Sequence, residues 1–98
     1  MKNVIENETL TIYLEGEINS LNAEDVEKEI DAIVSKKDFK AIKLDMEKVN
    51  YISSAGLRII VRLKQSYDDT SLVKVPEDVY DIFEMVGFGN LVTIEKLK

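Results

Sequence analysis

Cysteine and histidine are both missing from the 98 residues. With them go disulfides, thiol nucleophiles, most zinc sites and every histidine-based acid or base. No Gly-x-x-x-x-Gly-Lys run followed by Ser or Thr is present to cradle a phosphate, and no Gly-x-Ser-x-Gly elbow to activate a serine. A serine hydrolase would then need a lysine base, which the spacing does not offer. Basic runs are lacking as well, and the net charge of −6 disfavours nucleic acid, whose affinity comes largely from Lys and Arg neutralising phosphates. No apolar run approaches the roughly 18 residues of a spanning helix. The opening Met1-Lys2-Asn3-Val4-Ile5-Glu6-Asn7-Glu8 carries charge where a signal peptide would need an apolar stretch. The expectation is a cytoplasmic protein with no catalytic residues, no metal and no cofactor.

What remains is ordinary globular composition, 45% hydrophobic, in a length that suits one domain over residues 1–98. Lys2 to Glu6 reads as a short strand, and Asn7-Glu8 as a turn. From Thr9 to Glu15 the chain alternates, with Leu10, Ile12 and Leu14 on one face, until Gly16 breaks the strand. Asn22 is a suitable N-cap for a helix to Ser35, with Glu24 and Asp25 in its first turn and Val26, Ile30, Ile33 and Val34 as its apolar stripe. Ala41–Met46 is a strand with Ile42, Leu44 and Met46 inward. Glu47-Lys48 interrupts it before Val49 and Tyr51 resume the inward rhythm.

At Ser53-Ser54 the period changes to helical. Leu57, Ile59, Ile60, Val61 and Leu63 cover more than half the circumference and leave Arg58, Arg62 and Gln65 on a narrow polar side. So apolar a helix needs cover from the sheet and from a neighbouring helix. Tyr67–Thr70 is a turn and Ser71–Val75 a strand. Pro76 suits the first position of a last helix striped by Val79, Ile82, Phe83 and Val86 and closed by Gly87. Phe83 and Phe88 close the core, and Leu91–Glu95 is a final strand. The order strand, strand, helix, strand, helix, strand, helix, strand is an α/β pattern with a largely parallel sheet. Function in such sheets gathers beyond the carboxyl ends of the strands, where Asn19, Ser53 and Ser54 fall.

Serine is a favoured N-cap, and capping alone accounts for one hydroxyl at the helix start. A helix start also leaves backbone donors unpaired and partial positive charge, so a phosphate added to a serine there is welcome. Glu15, Glu17 and Asp45 follow no ligand spacing and read as solvated surface charge rather than a metal or acid/base cluster. The tyrosines are scattered and form no stacking series.

Three stretches together resemble the STAS domain family of bacterial anti-sigma factor antagonists: Leu14-Glu15-Gly16-Glu17-Ile18-Asn19; Leu44-Asp45-Met46 running through Val49 to Arg58; and Val75-Pro76-Glu77-Asp78-Val79 with Ile82-Phe83 and Gly87-Phe88. The likeness spans nearly the whole chain. It implies an α/β fold with a mixed, mostly parallel sheet of four to five strands and helices mainly on one face. It also implies partner switching. The antagonist binds an anti-sigma factor that is a serine kinase of the histidine-kinase-like ATPase fold, freeing the sigma factor. The kinase then phosphorylates a serine at the start of the central helix, binding is lost, and a metal-dependent serine phosphatase restores it.

Matching on Gly56-Leu57 makes Ser54 the phosphoacceptor, with Ser53 the alternative, and a partner surface of Asn19, Ser53, Ser54, Ala55, Gly56, Leu57 and Arg58. Ser53 and Asn19 stand where many members have aspartate, which removes negative charge beside the acceptor. The turn before Ser71 is shorter than usual for the family. Two other readings remain open: a non-phosphorylated STAS module that joins a larger signalling assembly, and, with less in its favour, a small α/β enzyme or nucleotide-binding domain.

Overall fold

Alternation becomes sheet where it is strongest: β1 (Asn3–Glu6), β2 (Thr9–Ile18), β3 (Ala41–Ile52), β4 (Thr70–Val75) and β5 (Thr93–Lys96) form one sheet in that spatial order. A computed structural model describes residues 1–98. β1 and β2 pair antiparallel, and every later neighbour pairs parallel. Each parallel step is joined by a helix: α1 (Ala23–Val34), α2 (Ser54–Ser66) and α3 (Glu77–Met85). Right-handed crossovers that always advance in the same direction put all three helices on the same face. Leu10, Ile12, Ile42, Leu44 and Leu72 line that face without solvent exposure and meet Ile30, Ile60, Val79 and Phe83 from the helices. Phe88, in a short 3₁₀ turn (Phe88–Asn90), stacks on Phe83 at 5.3 Å and closes the core. No helix is long and apolar enough to cross a membrane.

Gly16 does not end β2. It adopts φ 77, a left-handed backbone that side-chain-bearing residues avoid, and the strand continues to a buried Ile18. Glu47-Lys48 does not interrupt β3 either. Between the pairs Tyr13–Asp45 and Glu15–Lys48, β2 advances two residues and β3 three; between Gly16–Val49 and Glu17–Tyr51 the advances are one and two. Each mismatch is a bulge that inverts the facing of the residues after it. The inward series is therefore Ile42, Leu44, Met46, Val49 and Ile52, and Tyr51, expected inward, points out and is 45% exposed.

Smaller departures have local causes. Thr70 joins β4 because its backbone pairs with Ile42 and its side chain is buried. Pro76 is the extended residue just before α3, at ψ 152, rather than its first helical one. The α3 stripe ends at Phe83, since the helix stops at Met85 and left-handed Gly87 (φ 70) turns the chain, leaving Val86 56% exposed. The last strand begins at Thr93 because Leu91 is still engaged with the 3₁₀ turn through its N–H to the Phe88 carbonyl. The Asn7-Glu8 turn is made with both residues at positive φ, 51 and 64, the signs that a type I′ two-residue hairpin requires.

Candidate functional site

The β3–α2 junction is built from the strand end upward. Ile52 is buried, and Ser53 stays extended at φ −91, ψ 174, while its N–H donates to the Ile18 carbonyl of β2 at 2.8 Å. That bond ties the ends of the two strands together. The Ser53 hydroxyl turns inward along the chain and accepts the Gly56 N–H at 3.4 Å, so Ser53 is the N-cap of α2. Ser54 is the first helical residue, exposed, and its hydroxyl has no partner within the chain. The two adjacent serines thus divide the work: one closes the helix, the other faces solvent.

Gly56 fixes how closely the helix start approaches the sheet. A Cβ there would lie 2.6 Å from Ile52 Cγ1 and 2.8 Å from Ile18 Cγ2, inside any van der Waals contact. One turn further, Ile59, Ile60 and Leu63 are buried, and Arg62 forms an ion pair with Glu27 of α1. The cover expected for this helix is present on both sides. Arg58 is exposed and enters no ion pair.

Residues 19–22 flank this junction, because Ile18 registers with Ile52 and the next residue falls beside Ser53. Asn22 occupies the N-cap position of α1 but does not cap it with its side chain. It is spent on the loop instead: its Oδ1 accepts the Asn19 N–H at 2.8 Å and its Nδ2 donates to the Glu17 carbonyl at 2.7 Å. Asn19 reciprocates, with Oδ1 accepting the N–H groups of Leu21 at 2.9 Å and Asn22 at 3.1 Å, and Nδ2 donating to Glu17 Oε1 at 3.2 Å. Between the two asparagines stands Leu21, 92% exposed.

Of the residues the resemblance offered as a partner surface, the structure brings Asn19, Ser53, Ser54, Ala55, Leu57 and Arg58 to one end of the sheet. Ser54 and Arg58 are exposed there, and Asn19, Ser53, Ala55 and Leu57 are half-buried. Gly56 lies beneath them, buried. Leu21 was not singled out by sequence reasoning, and Tyr51 was placed near this end but expected to face inward. A lone leucine in a polar loop gives no periodic signal, and the facing of Tyr51 depends on bulges.

The carboxylates divide differently from expectation. Glu15 and Glu17 are solvated, but Asp45 is only 6% exposed. Its Oδ1 accepts the Glu47 N–H at 3.0 Å, bracing the first β3 bulge, and Lys74 Nζ stands 3.9 Å from its Oδ2 and 3.8 Å from Glu47 Oε1. An open hollow of about 490 Å³ beside this bulge is lined both by Lys2, Lys48 and Lys74 and by Glu15, Glu29, Asp45 and Glu47, so it favours neither sign of charge. No three Asp or Glu side chains gather in a way that would hold a metal ion.

Comparison with known proteins fits this geometry. The STAS domain family matches residues 1–97. BtrV of Bordetella bronchiseptica, assigned as an anti-sigma factor antagonist, is 38% identical over 83 residues, which are 81% of this chain and 71% of that protein. An assigned anti-sigma factor antagonist from Thermotoga maritima has a solved structure that superposes with a TM-score of 0.84 at 23% identity, over 97% of this chain and 85% of that one. The anti-sigma factor antagonist SpoIIAA superposes in its unphosphorylated form with a TM-score of 0.75 at 18% identity, over 95% of this chain and 85% of that one. The phosphorylated form of the Bacillus protein gives 0.66 at 17% identity, over 95% and 88%. At these identities the structural likenesses speak for the fold, which is a mixed five-stranded sheet with three helices.

Proposed function

The chain belongs to the STAS domain family, and we propose that residues 1–98 act as one domain, an anti-sigma factor antagonist that docks through the carboxyl end of its sheet and is switched off by phosphorylation of Ser54. It is a binding protein, not an enzyme, in this reading. Its partner is a serine-kinase anti-sigma factor of the histidine-kinase-like ATPase fold, and a serine phosphatase reverses the modification. The observation that carries the choice of serine is the free, exposed hydroxyl of Ser54 beside a Ser53 hydroxyl already engaged by the Gly56 N–H.

Modification forms a bond from Ser54 Oγ to the γ-phosphorus of ATP and breaks the bond to the β-bridging oxygen. ADP leaves, and the hydroxyl proton passes to the kinase. The product carries about −1.5 to −2 charges at neutral pH. At the first position of a helix such a charge is tolerated or favoured by ~0.3 to 1 kcal/mol, so the fold persists. α1 and α3 each begin with two carboxylates, Glu24 and Asp25, Glu77 and Asp78, whereas the first turn of α2 has none. The off signal therefore acts at the interface, where burying an unpaired dianion costs several kcal/mol, and each ~1.4 kcal/mol is tenfold in affinity.

Incubation with the ATPase-fold kinase and ATP, followed by mass spectrometry, should place one phosphate on Ser54. Ser54→Ala should bind the kinase and accept none; Ser54→Asp should bind poorly. Phosphate found on Ser53 would reverse the assignment. A Ser54→Asp protein that binds as the parent does would support the non-switching interaction module instead.

A further inference from the structure

The structure holds one arginine in reserve beside Ser54, and we infer that Arg58 is the intramolecular counter-ion of a phosphate on Ser54, drawn off the docking surface when that serine is modified. This rests on the switch reading of Ser54. Residues four apart on a helix share a face, separated by about 40° and about 6 Å of rise. Helical side chains lean toward the N-terminus, so it is the later residue of such a pair that can reach back over the earlier one. Both residues are exposed, and nothing in the chain stands in ion-pair contact with the guanidinium.

The chain has two arginines, both on α2, and they are committed differently. Arg62 is bound to Glu27 and fastens α2 to α1. Arg58, one turn nearer Ser54, is free. On β2, Glu17 already accepts through Oε1 from Asn19. A guanidinium presents a planar fork of donors that matches two phosphate oxygens at once, which an ammonium cannot do.

One modification then changes the surface twice. It adds a dianion at position 54 and withdraws a cation at position 58, so a partner that meets Arg58 with an acidic group or a carbonyl loses that contact as well. An aspartate at position 54 is shorter and carries a single charge, so it holds Arg58 weakly and imitates the modified state incompletely.

The test places phosphoserine at position 54 during translation, which requires no kinase. Phosphorus NMR then follows the second ionisation of the phosphate, near pH 6 in the absence of a partner. A cation beside the dianion lowers that pKa, so Arg58→Gln should raise it by about 0.2–0.4 unit, the effect of an ordinary i, i+4 ion pair. Arg58→Lys should fall between, Arg62→Gln should leave it unmoved, and the difference should fade at ~1 M salt. An Arg58 Nε–H signal that sharpens and shifts only in the phosphorylated chain is the second readout. If Arg58→Gln moves the pKa no more than Arg62→Gln does, and the Nε–H signal is unchanged, the counter-ion role is wrong. Because the phosphate is installed directly, that result is separate from whether a kinase chooses Ser54.

Discussion

The two ends of the parallel sheet both expose a long apolar side chain, but they hold it differently. At the carboxyl end Leu21 is 92% exposed, and at the amino end, where helices return to strands, Met85 is 85% exposed beside Val86 and Leu91. The Leu21 loop is cross-braced by the side chains of Asn19 and Asn22 and tied to β3 through the Ser53 N–H. The Met85–Leu91 segment is anchored by buried Phe88 and by backbone bonds from Gly87 to the Glu84 carbonyl, from Asn90 to the Gly87 carbonyl and from Leu91 to the Phe88 carbonyl, but it has no side-chain hydrogen bonds of the kind that cross-brace the Leu21 loop. Exposure by itself is common on protein surfaces and marks nothing. A side chain presented on a loop that is already ordered pays little entropy on docking, so the carboxyl end is the better suited of the two to the docking proposed above.

The largest contrast between the ends should come from glycine. Gly56→Ala places a methyl group against Ile52 and Ile18 and should destabilise the fold by about 1–3 kcal/mol in urea titration. Gly89→Ala at the amino end has nothing within 4 Å of the new carbon and should stay within about 0.5 kcal/mol of the parent. Next in size, Leu21→Ser should weaken binding to the proposed ATPase-fold partner about tenfold, the loss of ~1.4 kcal/mol expected when an apolar anchor at an interface is removed. Met85→Ser should leave it unchanged by calorimetry, and equal losses from both would abolish the distinction between the ends. Smallest, Glu8→Gly relieves a left-handed non-glycine residue in the β1–β2 turn and should stabilise the fold by ~0.5 kcal/mol in thermal melts without altering binding.

Where periodicity is uninterrupted, residues announce their place. Leu10, Ile12 and Leu14 alternate and are buried, and Ile30 and Val34 repeat at helical spacing and are buried. Prediction by period runs out where the backbone changes its count. Tyr51 follows two bulges in β3, which no hydrophobic pattern records, and Val86 continues the α3 spacing past the point where the helix has stopped. The site was legible as chemistry more than as geometry. Serines at a strand-to-helix junction identify the helix start, but which hydroxyl is occupied depends on Ser53 remaining extended. The loop beside it reads as an N-cap at Asn22, because the alternative, a side chain bonding back to Glu17, requires β2 to continue through Gly16.

Each bulge of β3 is one extra residue against β2, so the strand can lose a residue at either place and heal the ladder there. Removing one residue at one bulge would erase that bulge and its inversion together, keeping Ile52 inward and Ser53 beside Ile18. Removing one at each would restore plain alternation and leave Ile52 in the space under Gly56. The helix that carries Ser54 is thus set by where the end of β3 pairs with β2 rather than by the identity of the looped-out residues, while Val49, buried between the two bulges, keeps its side chain in the core.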